Sequence, residues 1–261
     1  MKLGVLPLFN EVNWASFAID HAMALCDKLL ISEGSQFVAF PDIPEKSDDG
    51  TLDIISDKQK QYPDRIEVIA TNRKHGNYRK NQCANYNRAL NYCEIGDYLV
   101  CLSGDTFYLD VTVDKVNQLM RDGKMDYLEV ELLRFIFGFK WTFGTQPAQM
   151  ILKKVPALRF YPTSRPAGLG PAKVALPGIS CHHYTWVKPK ARMRIRMKTS
   201  GFYGGMLEWF DKNWDNIELV EGKTFEFIRK SFTVKRYDGE HPSVLDTHPW
   251  RHVEDIRRIE R

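Results

Sequence analysis

Residues 96–110 read GDYLVCLSGDTFYLD. Tyr98 to Leu102 is a short apolar run of strand-forming residues, and the polar, glycine-containing Ser103-Gly104-Asp105-Thr106 follows at once. That order predicts a buried strand ending in a tight turn. In open α/β sheets ligands bind in the crevice outside the carboxyl ends of parallel strands, so Asp105 is placed to meet a metal ion or a phosphate-bearing substrate. A solvated turn aspartate is the other reading of the same residues.

Working back toward the N-terminus, Lys2 to Phe9 is an apolar strand broken only by Pro7, and Asn10 and Glu11 follow it. Asn13 is a suitable N-cap for a helix whose Trp14, Phe17, Ala18, Ala22 and Leu25 share one face. Lys28 to Ser32 predicts a second strand, ending in Glu33-Gly34-Ser35. Strand, polar turn, helix, strand and polar turn imply a parallel sheet built by right-handed crossovers, with both turns on one edge. Phe37 to Asp53 reads as a loop, Leu52 to Tyr62 as a short helix and Arg65 to Ala70 as a third strand. The basic segment Asn72 to Lys80 precedes a helix from about Arg79 to Cys93, which puts Arg79 and Lys80 at a helix N-terminus suited to phosphate; a solvated loop is the plainer alternative.

Beyond Asp110 the spacing predicts a helix over Val113 to Met120 and a strand over Asp126 to Phe137 that carries Glu129 and Glu131 on one face. Phe137 to Pro147 is aromatic and glycine-rich and reads as irregular, Met150 to Val155 as a strand, and Tyr161 to Pro177 as a loop. The adjacent His182 and His183 stand after a short apolar segment, and a neutral imidazole from a distant strand suits the shell of an Asp-bound metal. Arg192 to Lys198 predicts a basic helix with a solvated face, and the chain ends in a charged segment read as a terminal helix.

The length of 261 residues suffices for one large α/β core, and 43% hydrophobic with 27% charged residues excludes disorder, collagen and coiled coil. A net charge of +4 steers anions but falls far short of a nucleic-acid-binding face, because the basic residues are scattered among acids. Five cysteines without CxxC spacing read as reduced core thiols of a cytoplasmic protein. No apolar run approaches the roughly 20 residues of a membrane span, and the opening residues are too short for a signal peptide.

Taken in order, these pieces resemble the GT-A-type glycosyltransferases, family 2-like. The resemblance rests on Phe9-Asn10-Glu11 after the first strand and on Ser32-Glu33-Gly34-Ser35 after the second, where the family usually has Asp. It rests also on Asn87-Arg88-Ala89-Leu90 and on Ser103-Gly104-Asp105 at the place of Asp-x-Asp. His183-Tyr184-Thr185-Trp186-Val187-Lys188-Pro189 looks like the His-Tyr-x-Trp-Val-Arg-Pro element of bacterial members, and Gly239-Glu240-His241-Pro242 looks like their Gly-x-His-Pro.

The resemblance implies an α/β GT-A fold with a mostly parallel central sheet flanked by helices. It implies a catalytic domain over residues 1–200 and a C-terminal extension over 201–261 packed on it. The donor would be a nucleotide-diphosphate sugar and the acceptor a hydroxyl of a glycan, lipid-linked or protein partner. Pro7, Phe9, Asn10, Glu11 and Glu33 would hold base and ribose. Asp105, with Ser103 and Gly104, would carry Mn²⁺ or Mg²⁺ on the diphosphate, and His183 or His182 would complete the shell. Arg79, Lys80 and the segment from Lys188 to Lys198 would add cationic support, and Glu129 or Glu131 would deprotonate the acceptor in an inverting transfer. Ser103 removes one carboxylate from the metal site, so affinity for the ion without nucleotide is expected to be low. A non-catalytic GT-A module is the alternative that this departure favours. A sugar nucleotidyltransferase is a further alternative, against which stands the absence of a Gly-rich, Arg-Lys loop after the first strand. An interfacial patch of Trp209, Phe210 and Trp214 for a lipid carrier is weighed against a place in the core.

Overall fold

The computed structural model describes residues 1–36, 40, 42–162, 166–199, 203–227 and 230–259. Parts of the two expected loops, at 37–39, 41 and 163–165, the expected domain boundary at 200 and 201, and the terminal residues 260 and 261 lie outside them.

The N-terminal half alternates strand and helix. β1 (Lys2–Leu8), α1 (Ala15–Leu25), β2 (Lys28–Glu33), α2 (Thr51–Gln61), β3 (Ile66–Ala70), α3 (Tyr78–Leu90) and β4 (Tyr98–Cys101) follow the expected order. Their pairing is parallel, in the spatial order β3-β2-β1-β4. Alternate residues of β1 serve opposite faces: Leu6 and Leu8 pack in the core cluster under α1 and α2, whereas Leu3 and Val5 pack in the cluster under α3. Each such buried side chain contributes on the order of 1.5–3 kcal/mol. Pro7, with no N–H to donate, is tolerated in this central strand because pairing with β4 ends at Val5. The first helix is not capped by Asn13. Trp14 is its N-cap residue without a side-chain cap, and the backbone N–H groups of Trp14 and Ala15 both donate to the Glu11 carbonyl.

The C-terminal half supplies long strands. β5 (Thr106–Tyr108) and α4 (Asp110–Asp122) precede β6 (Tyr127–Ile136) and β7 (Trp141–Lys153). The short β8 (Arg159–Phe160) pairs with β9 (Pro166–Ala167), and β10 (Lys173–Trp186) then runs antiparallel to β5 and parallel to β6. The nine-stranded sheet runs β3-β2-β1-β4-β7-β6-β10-β5, with β13 (Lys235–Arg236) added beside β7. Together with helices on both faces, this is the α/β arrangement that the resemblance implies, parallel over its first four strands and mixed beyond them.

Two stretches differ from expectation. The segment 137–147, read as irregular, is the turn into and first half of β7, where aromatic, glycine and proline residues hide the period of two. The segment read as a loop to Pro177 already enters β10 at Lys173.

α5 (Lys190–Thr199), α6 (Tyr203–Asn213) and the hairpin β11 (Thr224–Phe227) to β12 (Lys230–Thr233) enclose a second core around Trp186, Phe210 and Trp214. Phe210 is fully buried and Trp214 is 1% exposed, so neither forms the interfacial patch weighed above. The end of the chain packs back on the first core through Leu245, Trp250 and Ile256. Its last described element is a single 3-10 turn, Ile256–Arg258, not the expected helix, tied down where Ile256 N–H donates to the Phe137 carbonyl at 2.7 Å. Among the described residues no helix is long and apolar enough to cross a membrane. All five cysteines are free, with Cys26, Cys101 and Cys181 buried.

Candidate functional site

The carboxyl ends of β1, β2 and β4 meet at one edge of the sheet. At the end of β1, Asn10 adopts a left-handed φ of 50°, which an asparagine tolerates better than most side chains. This turns the chain so that Asn10 and Asp48 bond reciprocally, Asn10 Nδ2 to Asp48 Oδ1 at 2.8 Å and Asp48 N–H to Asn10 Oδ1 at 2.9 Å. Glu33, at the end of β2, accepts from the Ser47 N–H at 2.7 Å. Both residues are buried, and these bonds hold the 42–51 loop against the sheet edge.

After β4 the turn packs closely on β1. A Cβ at Gly104 would lie 3.0 Å from Leu8 Cδ2 and 3.4 Å from Glu11 Cγ, which explains a glycine at this position. Asp105 follows, 2% exposed, and its backbone carbonyl accepts from Tyr184 N–H at 2.8 Å. That bond and the pairing of Thr106 with His183 draw the turn onto β10.

The charges gathered here form one buried network. Asp105 Oδ1 accepts from Ser103 Oγ at 3.0 Å and lies 3.3 Å from His183 Nε2. Asp105 Oδ2 lies 3.1 Å from Arg196 Nη1 and 3.3 Å from Lys188 Nζ. Lys188, 1% exposed, also donates to Glu11 Oε2 at 2.6 Å. Arg192 completes the group with Glu11 Oε1 at 3.4 Å, and it donates to the Phe9 carbonyl. Burial pushes the Asp105 carboxyl up, but the charges of Lys188, Arg196 and His183 outweigh it and hold the group well below the usual carboxylate range.

Beside this network opens a cavity of about 620 Å³, within the usual size for small-molecule sites. Tyr78, Arg79 and Gln82 from the first turns of α3 form one part of its wall, and Ser103, His183, Thr185 and Arg196 another. Arg134 and Glu129 come from β6, and Phe143, Trp186 and Met197 give it an apolar side.

The structure sorts the expected site residues. Arg79, Ser103, His183 and Glu129 lie on the cavity wall. Asp105, Glu11 and Lys188 lie buried behind it, and Pro7, Phe9, Asn10, Glu33 and Gly104 shape the sheet edge without being among the wall residues. Lys80 is exposed on α3 away from the wall, and Glu131 is half-buried and outside it. His182 does not join Asp105. Successive strand residues point to opposite faces, so His182 turns into the core, where its ring nitrogens meet the Tyr184 hydroxyl at 3.2 Å and the Tyr237 hydroxyl at 3.1 Å. Burial, reinforced by Arg251, lowers its pKa to about 3, so it is a neutral packing histidine.

Arg134 carries no signal in the sequence, and Arg196 is there only one of several cations in the Lys188 to Lys198 segment. The spacing of four from Lys188 to Arg192 to Arg196 was the available signal, since it places the two arginines on one face of α5. Arg194, off that face, pairs with Asp211 at the surface.

The residues present do not fit a divalent cation. Among the described residues no three His, Cys, Asp or Glu side chains gather to hold one. The single aspartate already faces Lys188 and Arg196 through Oδ2 and His183 through Oδ1, so a dication on Oδ2 would meet the close nitrogens of two cationic side chains.

No known family profile matches the chain, and no curated protein sequence matches it. Similar solved structures include the crystal structure of S. aureus TarS 1-349, 12% identical, with a TM-score of 0.47 over 70% of this chain and 60% of that one. Another is the crystal structure of S. aureus TarS, 11% identical, with a TM-score of 0.46 over 82% of this chain and 43% of that one. The chain thus spans 60% and 43% of the lengths of these two neighbours. A mannose-6-phosphate isomerase from Helicobacter pylori is more distant, 10% identical with a TM-score of 0.27 over 91% of this chain and 87% of that one.

Proposed function

We propose that this chain is a glycosyltransferase that moves a sugar from a nucleotide-diphosphate donor to an acceptor hydroxyl, with inversion. The observation that carries the reading is the cavity outside the end of β4, which combines three arginines, Arg79, Arg134 and Arg196, with the carboxylate of Glu129. A diphosphate leaving group gathers negative charge as the glycosidic bond breaks, and guanidinium groups already in place stabilise that charge without rearrangement. In the proposed step the acceptor oxygen attacks the anomeric carbon, the bond to the diphosphate oxygen breaks, and the acceptor proton passes to Glu129. Glu129 bonds to Lys173 at 2.8 Å in this state, which holds its carboxylate in place on the cavity wall.

Incubation with a panel of UDP-, GDP- and dTDP-sugars, followed by release of nucleoside diphosphate, tests the reading. Release from one donor that ends in Glu129→Gln supports it, and an inverted anomeric centre in the product supports single displacement. Ser103 and the burial of Asp105 favour one second reading, a module that binds the donor and transfers nothing. Tight donor binding with no turnover for any acceptor class would select it.

A further inference from the structure

His183 and Arg134 are register partners on β10 and β6, and both line the cavity. Thr185, also on the wall, accepts from Arg196 Nη2 at 3.1 Å, which fixes that guanidinium beside them. Two arginines from elements far apart in sequence therefore converge around one histidine. The carboxylate paired with Arg196, Asp105, is also held by Lys188 behind the wall, so its own charge is already balanced.

Arg134 is the less expected of the two. Its guanidinium carbon lies 4.5 Å from the Phe143 ring centre and 4.9 Å from that of Phe232. Its Nε is buried without a hydrogen-bond partner. Among the described residues no carboxylate pairs with it. An arginine stacked on aromatic rings keeps its donor edge in a fixed plane, and that edge matches the paired oxygens of phosphate. A buried donor left unpaired is costly, so a ligand that satisfies it gains affinity.

We propose that Arg134 and Arg196, grouped around His183, form a diphosphate site in which the chain's own guanidinium groups take the place of a divalent cation. The inference rests on the glycosyltransferase reading and deepens it. Asp105 is then a positioning residue: it aims Arg196 and His183 at the cavity and does not itself ligate a metal. Ser103, whose hydroxyl donates to Asp105 Oδ1 at 3.0 Å, fits the same arrangement, because a further negative charge there would compete with the ligand for the arginines.

Calorimetric titration of UDP and of GDP, each in EDTA and in Mn²⁺, tests the site in the wild type and in Arg134→Gln, Arg134→Lys and Arg196→Gln. The expected result is binding of one nucleotide in EDTA, changed less than about threefold by Mn²⁺. Each glutamine variant should weaken it by about tenfold or more, the loss of one charge-assisted pair. Arg134→Lys should recover only part of the loss, because a point charge cannot reproduce the bidentate fork. Melting curves that coincide with the wild type exclude unfolding as the cause. Arg134 is on the wall and not in the buried network, so its variants are the readout if Arg196→Gln melts early. Binding that appears only with Mn²⁺, or that survives Arg134→Gln unchanged, overturns the inference and leaves the transferase reading standing. Absence of binding for both nucleotides with and without Mn²⁺ overturns both.

Discussion

Lys188 Nζ meets Glu11 Oε2 at 2.6 Å across 177 residues of sequence, in a place where the two side chains are 1% and 9% exposed. The same ammonium faces Asp105 at 3.3 Å, so one buried cation ties the turn after β1 to the turn after β4. Removing it leaves two carboxylates without their shared partner. We expect Lys188→Met to lower stability by about 3–5 kcal/mol. Urea denaturation checks this, and a loss below about 1 kcal/mol would show that the network is not held by this lysine.

Acid should weaken the fold before most carboxylates titrate. Burial lowers the pKa of His21 to about 4, and of His182 and His248 to about 3. Tyr108 N–H donates to His21 Nε2 at 3.0 Å, as the neutral ring requires. A group with a depressed folded-state pKa contributes stability that is present above its unfolded value, near 6.5, and is lost as pH falls toward the folded value. Each histidine therefore withdraws up to about 1.4 kcal/mol per pH unit below that point. Asp105, also depressed, adds its loss only below about pH 4. Melting temperature should fall steeply from pH 7 to pH 5, and a flat profile over that interval contradicts the assignment.

Trp214 tests the second core. Its ring lies 4.5 Å from Phe137 and 4.8 Å from Phe210, between centres. Trp214→Ala should cost about 3–5 kcal/mol in chemical denaturation. An unchanged midpoint with altered vesicle binding would instead return this residue to the surface.

Glu129→Gln removes the proposed base while keeping its shape. Turnover should fall by about 10²–10⁴ with KM for the donor little changed. A fall in donor affinity at constant turnover would make Glu129 a binding group and move the base elsewhere.

The parallel half of the fold was legible because each strand there is a compact apolar run closed by a polar turn, as in Tyr98 to Asp105. The first half of β7 was not, because its pattern is interrupted by Gly144 and Pro147 and its register against β6 shifts twice, whereas its second half matches the strand expected from Met150. His183 and Asp105 were both singled out, and Thr106 pairing with His183 brings them together. The consequence of their meeting was not legible. Whether Asp105 faces a metal or a cationic side chain depends on α5 lying over the turn, and a basic helix reads in sequence equally as a solvated face or as a source of phosphate contacts. The tail differs from expectation for a related reason: Ile256 to Arg258 has helical composition but forms a single 3-10 turn bonded through the Ile256 N–H to the Phe137 carbonyl.

The most direct measurement is a crystal structure of the chain with the nucleoside diphosphate that titration selects, grown in Mn²⁺ with anomalous data at the manganese edge. The account predicts diphosphate oxygens on Arg134 and Arg196, Asp105 still paired with Lys188, and no manganese between them. A manganese ion ligated by Asp105 and bridging the two phosphates would contradict it.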